Sequence, residues 1–155
     1  MSLQPGDQAP DFTLPTDGGG HTTLSALAGR PVVVYFYPRD DTSGCTKEAQ
    51  AFTALAPDFA RAGATVIGIS RDTVKSHDRF KTKYTLDLVL ASDEDTSVQQ
   101  AYGVWVEKTM YGRTSLGTER STFLVGKDGR IHQLWRKVKV PGHAEAVLAA
   151  VQALG

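Results

Sequence analysis

Cys45 is the only thiol in the chain, within Tyr37-Pro38-Arg39-Asp40-Asp41-Thr42-Ser43-Gly44-Cys45-Thr46-Lys47-Glu48. It follows a strongly apolar run by one short polar loop and falls in the first turn of a predicted helix, with Thr42 or Ser43 as the N-cap. Free backbone N–H groups and the helix dipole favour an anion there. A thiolate is such an anion, and helix N-termini and nearby cations lower cysteine pKa values from about 8.5 to roughly 3.5–7.5. On that reading the sulfur is partly or largely ionised at neutral pH. The competing reading is a small buried hydrophobe, the commonest fate of a free cysteine. A polar loop at the carboxyl end of a strand is where open α/β sheets place ligands. From position alone the two readings stand level.

The surrounding elements must hold that loop. Pro31–Tyr37 (PVVVYFY) is a continuous β-branched and aromatic run, which predicts a central strand covered on both faces. Ala49, Phe52, Leu55 or Ala56, and Phe59 then recur at helical spacing, with Pro57 expected to kink or split the helix. Gly63 is its expected stop, and Ala64–Ser70 a second buried strand. Val74 to Tyr84 reads as an amphipathic helix and Leu86–Ala91 as a short strand. Thr122–Val125 and Ile131–Trp135 flank Lys127-Asp128-Gly129, a hairpin signal. Val147, Leu148, Val151 and Leu154 mark a closing helix ended by Gly155. At the other end, Pro5–Asp11 reads as an extended lead-in. Phe12–Pro15 and His21–Leu24 flank the Asp17–Gly20 loop as an N-terminal hairpin. This order describes an α/β, thioredoxin-like fold, a central mixed sheet flanked by helices, in a single domain spanning 1–155.

Composition narrows the function. A chain of 155 residues buries roughly 70% of its unfolded surface, enough for one core. Its 17 basic and 17 acidic side chains give no net charge, which disfavours a dedicated nucleic-acid binder. No apolar run approaches the ~20 residues of a spanning helix, and the opening MSLQPGDQAP has no leader-like basic or apolar region; the expected location is cytoplasmic. One cysteine closes no internal disulfide. The four histidines (His21, His77, His132, His143) lack metal-ligand spacing, so neither metal nor cofactor is expected. Without C-x-x-C a disulfide reductase is disfavoured. Gly18–Gly20 lacks the lysine of a phosphate loop and reads as a turn, and Trp105 and Trp135 as packing residues.

Pro38-x-x-x-Thr42-x-x-Cys45 is similar to the peroxidatic loop of the peroxiredoxins. The wider string YFYPRDDTSGCTKEAQAF resembles the peroxiredoxin Q, or bacterioferritin comigratory protein, subfamily. So do GDQAPDFTLPT, VIGISRDTVKSHDRF, ERSTFLVGKDGRI and WRKVKVPGHAEAVL, in the same order along nearly the whole chain. The resemblance implies a thiol-dependent peroxidase in which Cys45 reduces hydrogen peroxide and alkyl hydroperoxides through a cysteine sulfenic acid. It also implies that Thr42 hydrogen-bonds the reacting O–O bond and that Pro38 shields the sulfur. Arg120 is implied to stabilise the thiolate and the charge developing on the leaving oxygen. Without the resemblance, Thr42 is a cap, Pro38 a strand end and Arg120 a surface arginine. Glu48 fits the subfamily pattern, but a carboxylate near a helix start needs no role beyond offsetting the dipole, and it stays outside the catalytic set.

The chain departs from its relatives in two ways. The positions that carry a resolving cysteine in the subfamily are Gln50 and Lys81 here, so the resemblance is to a one-cysteine form. An external thiol (thioredoxin, glutaredoxin or glutathione) must then restore the sulfenic acid, which is otherwise open to overoxidation. Ser43 also replaces a common proline, which loosens the loop. Relatives are often monomeric, and a monomer without nucleic-acid or membrane partners is expected. Two rival functions are compatible with parts of the sequence. A Cys/His hydrolase needs His77 or His143 beside Cys45 and does not explain the Pro and Thr spacing. An interaction or redox-sensing protein would use the basic stretch 104–143, with eight Lys or Arg against three Asp or Glu, around Trp135-Arg136-Lys137-Val138-Lys139.

Overall fold

The structure, a computed structural model, describes residues 2–154. Its centre is β3 (Val32–Phe36), buried along its whole length. Successive side chains point to opposite faces of a strand, and here both faces meet apolar layers. Val32, Val34 and Phe36 enter one core with Ile67, Ile69, Tyr102 and Phe123. Val33, Tyr35 and Tyr37 enter the other, with Cys45, Phe52, Phe59 and Val147.

Around β3 lies a five-stranded mixed sheet. β4 (Thr65–Ser70) and β5 (Val89–Ser92) run parallel to it on one side; on the other, β8 (Ser121–Val125) pairs antiparallel with β3, and the edge strand β9 (Ile131–Trp135) pairs antiparallel with β8. The N-terminal hairpin forms as β1 (Thr13–Pro15) and β2 (His21–Thr23). Pro57 does split the helix that follows β3, into α1 (Ser43–Ala54) and α2 (Ala56–Arg61), because proline fits only the first turn of a new helix. α3 spans Val74–Tyr84 and α5 spans His143–Ala153. Gly155 lies outside the described residues.

Two expectations need correction. The strand predicted from Leu86 begins only at Val89; Leu86 and Leu88 are buried outside it, so their apolarity reports packing and not pairing. Thr42 occupies the N-cap of α1 but its side chain caps nothing; the hydroxyl donates to the Arg39 carbonyl at 3.0 Å. The chain also forms elements that the sequence reading left unassigned. These are the short α4 (Ser97–Ala101) and a separate hairpin of β6 (Trp105–Met110) and β7 (Arg113–Thr118). That hairpin delivers the chain to Arg120. Among the described residues no helix is long and apolar enough to cross a membrane.

Candidate active site

Cys45 is the third residue of α1 and shares its buried stripe with Glu48, Ala49 and Phe52, the i, i+3, i+4 and i+7 positions of one helix face. The Phe52 ring stacks on Tyr35 of β3 at 4.8 Å between centroids, which pins that face to the sheet. Truncating a buried phenylalanine costs roughly 3–5 kcal/mol, so Phe52→Ala would loosen the seat of the sulfur. Tyr35 in turn lies across Gly68 of β4, where a Cβ would meet the ring at 2.8 Å; only glycine leaves it that space.

Arg120 comes to Cys45 from 75 residues away, as the residue just before β8. Its Nη2 donates to Sγ at 3.3 Å while Nη1 donates to Glu48 Oε1 at 2.6 Å, so one guanidinium bridges the thiol and the carboxylate. The planar fork of donors makes that double contact possible. Gly44 admits it: a Cβ there would lie 3.2 Å from Nη2. Burial works against the Arg120 charge, but Glu48 and the Cys45 sulfur outweigh it and hold the proton more firmly than on an ordinary arginine. Glu48 is buried, its Oε2 has no hydrogen-bond partner among the described residues, and burial pushes its carboxyl up to about 7 against the pull of Arg120.

The other predicted residues stand at different distances from this group. Pro38 is half-buried in the bend after β3, and Thr42 is exposed on the same loop with no hydrogen bond to the sulfur. Cys45 itself is 1% exposed. Neither candidate histidine reaches it. His77 pairs with Asp40 at 2.7 Å, and His143 with the Thr122 hydroxyl at 2.8 Å. Burial and the Arg120 charge lower the His143 pKa to about 4. In the basic 135–139 stretch Trp135 packs against His143 and Arg136 pairs with Glu119 and the Gly103 carbonyl, while Lys137 and Lys139 are exposed. Glu48, expected only to offset the helix dipole, instead pairs with Arg120 beside the sulfur. Its signal was present, a carboxylate in register with Cys45, Ala49 and Phe52 on the apolar stripe.

An α/β sheet that seats one cysteine at a helix start, bridged by arginine to a buried glutamate, is a thiol site. Comparison with known proteins gives the family of the chain: the AhpC/TSA family matches residues 5–134. Peroxiredoxin Bcp of Xanthomonas campestris is 53% identical over 143 residues, covering 92% of this chain and 89% of the relative. The Bacillus subtilis Peroxiredoxin Bcp is 40% identical over 152 residues, covering 98% and 97%. Among solved structures, the Xanthomonas campestris bacterioferritin comigratory protein, studied for alkyl peroxide reduction, superposes with a TM-score of 0.91. It has 50% identity and coverage of 98% and 97%. A Xylella fastidiosa PrxQ mutant gives 0.94 at 43% identity, covering 99% and 98%. The chain belongs to the AhpC/TSA family. It falls with the peroxiredoxin Q/Bcp relatives, enzymes of the thiol-dependent peroxidase class, and has the thioredoxin-like fold of that group.

Proposed function

We propose that the protein reduces hydrogen peroxide and alkyl hydroperoxides by direct attack of the Cys45 thiolate. The sulfur takes the terminal oxygen: an S–O bond forms, the O–O bond breaks, and the departing alkoxide or hydroxide takes up a proton to leave as alcohol or water. Cysteine sulfenic acid remains. The observation that carries this reading is the Arg120 bridge, 3.3 Å from the sulfur and tied down by Glu48. A fixed cation there favours the thiolate and then the charge on the leaving oxygen without reorganising. Thr42 has committed its proton to the Arg39 carbonyl, so its lone pairs are left to accept the hydroperoxide O–H. Half-buried Pro38 is assigned the shielding of the sulfur from water. The link of the Xanthomonas relative to alkyl peroxide reduction supports alkyl as well as inorganic substrates.

With one cysteine in the chain, resolution is intermolecular. One external thiol condenses with the sulfenic acid, releasing water and leaving a mixed disulfide; a second thiol frees Cys45 and departs as the oxidised disulfide. Glutathione with glutaredoxin, or thioredoxin, are the proposed reductants of a cytoplasmic, monomeric, one-domain enzyme. Intact mass spectrometry tests the scheme. One equivalent of peroxide should add one oxygen at Cys45 without an internal or intermolecular protein disulfide, and the competent thiol should restore the starting mass. Unchanged mass in a folded, reduced sample would defeat the proposal.

A further inference from the structure

The loop that carries Thr42 into α1 is anchored on its far side by a buried polar network that the peroxide chemistry above does not use. Asp40 is 8% exposed and His77 fully buried. The Asp40 carboxylate accepts from the Tyr37 hydroxyl at 2.6 Å on Oδ1 and from the Ser76 hydroxyl at 2.8 Å on Oδ2. Oδ2 also faces His77 Nδ1 at 2.7 Å. The other ring nitrogen, Nε2, faces the Ala91 carbonyl of β5 at 3.0 Å. The Asp40 backbone N–H donates to Asp72 at 2.8 Å.

Counting protons fixes what this network is. A carbonyl oxygen only accepts, so Nε2 carries a hydrogen. The 2.7 Å contact between Nδ1 and Oδ2 also needs a hydrogen between them. The pair therefore holds one proton more than a neutral imidazole beside a carboxylate, and it has no net charge. A buried carboxylate that lost this partner would keep its charge without compensation, a far costlier state than a matched neutral pair. We propose that His77 is a positioning residue for the Cys45 loop, sharing a proton with buried Asp40 so that Pro38–Thr42 stays fixed to α3 and β5. The proposal rests on the peroxidase reading for its catalytic consequence, and on Asp40–His77 geometry for the proton.

A double-mutant cycle on the full chain tests it, read as the second-order rate of Cys45 oxidation by hydrogen peroxide. His77→Gln keeps a donor near its old place but removes the shared proton; the expected loss is roughly 10- to 100-fold, as for a displaced reacting group. Asp40→Asn added to His77→Gln replaces the mismatched charge by paired amides without changing volume. Its rate should recover to within about threefold of wild type. A role of His77 in filling space alone gives no such recovery. A double variant no faster than His77→Gln, or a His77→Gln enzyme as fast as wild type, would overturn the proposal. Proton NMR of the unaltered protein gives a reading independent of variant folding. A far-downfield resonance coupled to His77 Nδ1 is expected, and its absence from a folded sample would also overturn it. A wild-type protein inert to peroxide would sink the peroxidase reading and with it the positioning role, while that resonance would still decide where the proton lies.

Discussion

Two buried carboxylates flank the Cys45 loop, and their surroundings differ in one respect. Asp40 has both oxygens occupied, by Tyr37, Ser76 and His77. Glu48 has Oε1 on Arg120 and leaves Oε2 without a partner among the described residues. A fully satisfied buried network stiffens what it touches, whereas an unsatisfied polar atom keeps free energy available for a change of proton or ligand. The Asp40 side of the loop is therefore built to hold, and the Glu48 side to respond.

The largest effects should fall on the responsive side. Cys45→Ser should abolish peroxide turnover while thermal unfolding shifts little, since a hydroxyl fits the same space. Residual turnover with the same peroxide dependence would move the chemistry off this sulfur. Arg120→Ala follows, with kcat/KM for peroxide falling roughly 100- to 1000-fold, the loss typical of one charge-stabilising donor. Arg120→Lys should recover little of it, because a single ammonium cannot bridge Sγ and Glu48 in the way two Nη groups do. Near-wild-type rates in either variant, measured by stopped-flow oxidation, would remove Arg120 from its proposed role.

Glu48 gives the comparison a pH signature. In the folded protein its carboxyl holds a proton up to about pH 7, against the ordinary 4.5. The folded state thus binds this proton more tightly than the unfolded chain. The associated stability is complete below pH 4.5 and is lost as pH rises through 7, about 3 kcal/mol across the window. His143 acts oppositely: its lowered pKa gives stability present above pH 6.5 and lost as pH falls through about 4. The wild-type curve mixes both trends, so the contrast with Glu48→Gln isolates one. Denaturant unfolding from pH 4.5 to 8 should show wild type losing about 3 kcal/mol relative to Glu48→Gln. Parallel curves would mean that Glu48 is ionised throughout. Glutamine still accepts from Arg120 Nη1, so peroxide oxidation should fall only about two- to tenfold.

How much of this the sequence showed depends on how local each signal was. The unbroken apolar run of β3, the Pro57 break and the 74–84 helix are short-range patterns, and each appears where the residues placed it. The β6–β7 hairpin was illegible. Its turn is Tyr111-Gly112, both at positive φ (54° and 76°), where an Asn-Gly or Asp-Gly signal would be expected. From Glu107 to Leu116 its strands are also exposed on both faces, so no alternation marks them; Met110 and Leu116 are 67% and 55% exposed. At the site, Cys45 and its loop could be read from position, but Arg120 entered only through family resemblance, because a contact across 75 residues leaves no spacing to find. Asp40 looked like any loop acid beside Asp41. Only the fold separates the two, turning one inward to His77 and the other outward.

That neighbour sharpens the contrast at the smallest scale. Asp41 sits at φ 60°, a left-handed conformation that aspartate tolerates better than most residues. Its exposed carboxylate accepts from Lys83 Nζ at 2.8 Å and the Tyr84 hydroxyl at 2.5 Å, so it too ties the loop to α3. These hydrogen bonds hold its carboxyl below the usual range. Water and salt screen such a pair, and exposed ion pairs contribute little. Asp41→Asn keeps the turn and removes the charge; peroxide oxidation should stay within about twofold of wild type, with no added salt dependence. A loss as large as that expected of His77→Gln would show that the loop is held from its solvent side, and the difference drawn between the two aspartates would then be wrong.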